Sequence, residues 1–96
     1  MIIAIDATGA ASLREPDNFK EFKVVCAYPG GEAPARAVGR LEAEHLWVDR
    51  SWLLDAGRPQ DAGWRAGFDA MVGFAERHGW VDPATGAIRA HIERAA

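Results

Sequence analysis

Trp64, Phe68, Met71, Val72 and Ala75 follow one another at intervals of four, three, one and three residues, a spacing that puts all five on a single stripe of an α-helix. Asp61 stands ahead of the stripe as an N-cap candidate and Gly79 beyond it as a C-terminal stop, so the pattern predicts a helix over 61–78. A stripe of this width has to be buried, and no second run in the chain has the length and period to cover it as another long helix. The covering surface must therefore be a sheet, built from the short alternating runs found elsewhere.

Those runs are readable one by one. Ile2-Ile3-Ala4-Ile5 is a β-branched strand that stops at the turn Asp6-Ala7-Thr8-Gly9. After Pro16-Asp17-Asn18 a second strand is predicted over 19–28, with Phe22, Val24, Cys26 and Tyr28 sharing one parity and facing the core. The polar connection favours an antiparallel pair between these two, with room for a short extra strand near Ala11 to Leu13. Pro29-Gly30-Gly31 is a break, and Pro34 suits the first position of a helix running to about Glu44, with Val38 and Leu41 on one face and Gly39 against it. His45 to Asp49 reads as a strand, and a brief helix capped by Asp49 or Ser51 follows to Gly57. In the tail, Ile88, Ala90 and Ile92 alternate with Arg89, His91 and Glu93. Ile88, His91, Ile92 and Ala95 also fit a helical face, and the Pro83-Ala84-Thr85-Gly86 turn favours a hairpin strand over that helix.

The expected architecture is an α+β fold: one compact domain over 1–96, with a small, mainly antiparallel sheet of three to five strands against two or three helices on one face. A chain of 96 residues has no room for two separate cores, and 49% hydrophobic with 26% charged residues is the composition of a globular protein. The net charge of −3 and the absence of a basic run weigh against nucleic acid as a partner. No stretch approaches the roughly 18 apolar residues of a membrane span, and Met1 to Ile5 lacks the features of an export signal. With the single cysteine, Cys26, unable to form an internal disulfide, a cytoplasmic protein is expected. Nine arginines against two lysines, with abundant alanine, are a bias associated with bacterial genomes rich in G and C.

No motif in the chain defines a reaction. Ile3 to Gly9 is similar to the strand-then-Asp-x-Thr-Gly turns in which some phosphotransferases present a carboxylate nucleophile, but a chain this short cannot house that scaffold. The plainer reading is a turn in which Asp6 or Thr8 bonds the backbone and Gly9 takes positive φ. Gly30-Gly31 lacks the Lys and Ser/Thr of a phosphate loop. His45, His78 and His91 lack the spacing of metal ligands, and neither a metal nor a cofactor is expected. His78 falls in the last turn of the long helix, where the helix dipole favours its protonation. A folded-back tail would bring His91 towards His78 or Trp80, a pH-sensitive contact. Ser12 and Ser51 suit backbone capping, and Cys26 faces the core.

The four tryptophans are the compositional excess. Trp64 belongs to the helix stripe, and Trp52 anchors the short helix. Trp47 has the parity opposite to Leu46 and Val48 and so faces outward, while Trp80 follows the helix-ending Gly79 and folds back over the last turn. Exposed together, Trp47 and Trp80 would form an aromatic contact patch with His45, His78 and His91. The leading expectation is therefore a small cytoplasmic interaction or ligand-binding domain, a homodimer with an aromatic contact surface that takes a small apolar ligand or a protein partner. The first alternative is a small enzyme acting on an apolar or aromatic substrate at a subunit interface, with a histidine base. The second is a winged-helix regulator, to which the mixed charge of Arg65, Asp69, Glu76 and Arg77 on the outer helix face is poorly suited.

Overall fold

In the computed structural model, which describes residues 1–95, the chain forms six strands and two α-helices. Strands β1 (Ile2–Ile5) and β2 (Ala11–Arg14) make a hairpin across the Asp6 turn, where the Asp6 N–H donates to the Ala10 carbonyl at 2.9 Å. Next come β3 (Lys23–Cys26), a 3-10 helix (Ala33–Ala37), β4 (Gly39–Glu42) and β5 (His45–Val48). Helices α1 (Arg50–Ala56) and α2 (Ala62–Arg77) precede the last strand, β6 (Ile88–Arg94). The class is α+β, as the pattern of runs requires. The sheet is larger than expected and mixed, with the order β2-β1-β3-β6-β5-β4.

One expectation about pairing is corrected. β1 and the strand of the 19–28 run are parallel rather than antiparallel. The antiparallel position beside β1 is taken by β2, and the chain then crosses from Arg14 to Lys23 to enter on the other side of β1 in the same direction. In crossing it passes the start of α2, where the Trp64 indole N–H donates to the Pro16 carbonyl at 2.9 Å. The 19–28 run itself is strand only over Lys23–Cys26.

The helix expected over 34–44 is also absent. Pro34 does start a helical turn, but the turn is a 3-10 helix ending at Ala37, and from Gly39 the chain is strand β4, antiparallel to β5. Gly39 permits this pairing because a Cβ there would lie only 2.0 Å from the Trp47 carbonyl oxygen. Leu41 thus pairs with Leu46, a strand contact, where the helical reading had placed it one turn from Val38.

One parity of the sheet is core. Ile3, Val24 and Ile92 stand side by side across three strands, as do Leu46 with Ala90 and Val48 with Ile88, and all are buried. Trp64, Phe68, Met71, Val72 and Ala75 of α2 join the same cluster, as does Leu53 of α1, so both helices cover one face. Burying each large side chain of the α2 stripe contributes about 1.5–3 kcal/mol. Asp61 is the N-cap of α2, its carboxylate accepting from the Trp64 N–H at 2.9 Å. The other parity, including Lys23, Val25, His45, Trp47, Arg89 and His91, is half-buried or exposed. The sheet curls far enough for the 3-10 helix to touch both edge strands, β2 and β4.

Among the described residues no helix is long and apolar enough to cross a membrane.

Candidate functional site

β6 lies inside the sheet, yet one of its edges changes partner partway along. β3 pairs with it from His91 onward, opposite Lys23. At its start the partner is the segment after α2: Val81 bridges Ile88, the Arg89 N–H donates to the Trp80 carbonyl at 2.8 Å, and the Asp82 N–H donates to the Ala87 carbonyl at 2.9 Å. This is the hairpin expected across the Pro-Ala-Thr-Gly turn, limited to a few residues. Between the two partners the sheet has a notch, and a cavity of about 430 Å³ opens there.

Three parts of the chain wall it. The crossing segment supplies Phe19 and Phe22. Phe19 is seated because Gly67 of α2 has no side chain: a Cβ there would lie 2.4 Å from the Phe19 ring, which leans against Trp64 with centroids 6.0 Å apart. The last turns of α2 supply Met71 and Ala75 as floor and Phe74 as lip. Phe74 is 49% exposed and is the one large hydrophobic side chain so exposed among the described residues.

Trp80 forms the third wall. Gly79 takes φ +74° at the end of α2, a conformation open to glycine, and the Trp80 N–H donates to the Ala75 carbonyl at 2.9 Å. The indole therefore folds back over the last turn, as expected, stacking on the His78 ring at 4.7 Å and meeting Phe74 edge-on at 6.1 Å. His78 is itself held, its Nδ1 2.9 Å from the Phe74 carbonyl. Since a carbonyl only accepts, that contact places a proton on Nδ1.

The polar groups come from the outward parity of the strands. His45 and His91 pair directly across β5 and β6, their rings edge to face at 5.9 Å, and both line the cavity with Arg89 and Lys20. Every charged side chain in the lining is therefore basic.

Of the five residues singled out from sequence, His45, His91 and Trp80 meet in this cavity and His78 backs Trp80. His91 does not reach the His78 ring as a partner; its aromatic neighbour is His45. Trp47 is not in the lining, although it pairs across the strands with Arg89, which is. It sits on the outward parity of β5, half-buried, its indole N–H donating to Glu42 at 3.2 Å, with the Arg40 guanidinium 5.6 Å above its ring.

Arg89, Lys20, Phe19, Phe22 and Phe74 were missed. For Arg89 a signal existed, since it shares the outward parity of His91. For Phe19 and Phe22 there was none, because only the crossing connection brings them to the end of α2.

The other sequence candidates are structural. The Asp6 carboxylate accepts from the Thr8 hydroxyl at 2.6 Å, the Thr8 N–H at 2.8 Å and the Ala10 N–H at 3.1 Å, which is the turn reading of Asp6-Ala7-Thr8-Gly9. These bonds, the Thr8 hydroxyl's first, hold the Asp6 carboxyl below its ordinary pKa. Cys26 is buried, its thiol 3.4 Å from the Gly31 carbonyl. Among the described residues no three metal-ligating side chains converge.

Fold and cavity together define an α+β domain with an aromatic, basic pocket at a notch in a mixed sheet. Comparison with families of known proteins, with curated proteins and with solved structures finds no match.

Proposed function

We propose that this protein is a small binding domain that takes an apolar or aromatic molecule into the cavity between the end of α2 and β6. The observation that carries the reading is Phe74. A monomer keeps large apolar side chains covered where it can, and the one left exposed stands on the lip of the cavity, beside Trp80. A volume of about 430 Å³ falls within the range of small-molecule sites, and aromatic walls with a few basic groups are the composition such sites have.

Binding is preferred over catalysis by a histidine base. His45 and His91 line the cavity, but its lining holds neither a carboxylate to orient them nor a serine or cysteine for them to activate. A winged-helix role has less support. The strand that would form the wing, β6, is interior to the sheet, and Arg65 on the outer face of α2 is paired with Asp69 at 3.2 Å. The cytoplasm stays part of the proposal on the strength of the lone buried thiol. A homodimer formed over Phe74 is the rival occupant of the same lip.

Titration with indole, followed by NMR, tests the reading. The account expects saturable shifts at Trp80, Met71 and Ile88, lost in Trp80→Ala and retained in Trp47→Ala. Indole without effect on those resonances contradicts it, as does a concentration-dependent dimer that Phe74→Ala converts to monomer and that excludes indole.

A further inference from the structure

Among the described residues three lysine and arginine side chains are half-buried: Lys23, Arg50 and Arg89. Lys23 is paired with Glu93 at 3.3 Å and Glu21 at 3.8 Å, and Arg50 donates to the Gly86 carbonyl at 3.1 Å. Arg89 alone has no carboxylate or carbonyl partner for its guanidinium among the described residues, and Arg89 is the one that lines the cavity. Partial burial strips water from a charge, and that loss is ordinarily made good by a partner. Here the partner position is the cavity itself. Lys20, on the rim, is also free of ion pairs among the described residues, and His45 and His91 add ring nitrogens on the same side. With no acid in the lining, the site's charge is all of one sign, and Phe74 and Trp80 line the same cavity of about 430 Å³.

We infer that the ligand is a flat aromatic carboxylate, its ring lying against the contiguous Phe74 and Trp80 side chains and its anionic group on Arg89. The inference rests on the binding role proposed for this cavity and adds the chemical class. A guanidinium presents paired N–H donors in the geometry a carboxylate accepts, and it keeps its charge at any physiological pH, so Arg89 serves as a fixed anchor. Lys20 contributes a second charge that solvent and salt screen more strongly. The histidines border the anion position without carrying the recognition.

The test compares two probes of the same shape, 2-naphthoate and its neutral counterpart 2-naphthamide, by calorimetric titration at low salt. The wild-type protein is expected to bind the naphthoate at least about tenfold more tightly, the size of one charge-assisted interaction. Arg89→Met, which keeps the apolar stem of the side chain and removes its charge, is expected to erase that preference and leave naphthamide binding intact. Lys20→Met, at an exposed position, is expected to reduce the preference only in part, and its unfolding temperature serves as the folding control. Equal affinity for the two probes in the wild type overturns the anion inference while the binding role stands. A preference that survives Arg89→Met overturns the anchor. Absence of binding by either probe removes the binding role, and this inference with it.

Discussion

Asp6 shows how the physical setting of a single residue decides between a chemical and a structural reading. A carboxylate after a short strand and before Thr-Gly is where a nucleophile could stand. This one spends its oxygens on the Thr8 hydroxyl and on the Thr8 and Ala10 N–H groups of its own turn. Because those bonds favour the ionised form, the folded-state pKa lies below the unfolded one. The stabilisation is therefore complete above the unfolded value, near about pH 4, and is lost as pH falls through the lowered folded value. Asp6→Asn is expected to lower the thermal midpoint at neutral pH and to flatten the acid limb of the stability curve. A variant whose midpoint runs parallel to the wild type from pH 7 to pH 3 would show that the turn does not depend on the charge. At this same scale, parity or position places His45, His91 and Trp80 outside the core, and the three line one cavity. Trp47 shares the outward parity and meets Arg40 and Glu42 of its own hairpin.

Among the elements, α2 was legible almost to the residue because its stripe repeats over about three turns and is bounded by Asp61 and Gly79. The segment from Pro34 to Glu44 was not. Val38 and Leu41 sit three apart, a helical spacing, yet over so few residues that spacing carries little weight against a tertiary contact. Gly39 held the answer: its lack of a side chain lets β4 approach the Trp47 carbonyl, and the helical reading treated it only as a weakness. Gly39→Ala places a methyl group 2.0 Å from that oxygen. It is expected to destabilise the protein by about 1–3 kcal/mol or more, as overpacking does, measured by denaturant unfolding. If β4 were instead helical, the same change would stabilise it by up to about 1 kcal/mol, since alanine is the better helix former. The sign of the effect alone separates the two.

At the scale of the whole molecule, the sheet's mixed order could not be read from the strands themselves. Hydrophobic parity says which side of a strand is buried and is silent on which strand lies beside it. The β1–β3 and β3–β6 pairs are parallel because the chain crosses the covered face between them. The first crossing also delivers Phe19 and Phe22 to the end of α2. The cavity is thus a product of topology: it opens where β6 passes from the Trp80–Asp82 segment to β3, and its walls come from parts of the sequence far apart. The central claim is that this notch is a receptor for an aromatic anion. A crystal structure of the protein grown with 2-naphthoate tests it most directly. The expected result is the ring against Phe74 and Trp80 and the carboxylate on the Arg89 guanidinium. A naphthoate bound elsewhere with this cavity empty, or seated here with its carboxylate turned away from Arg89 to solvent, would contradict it.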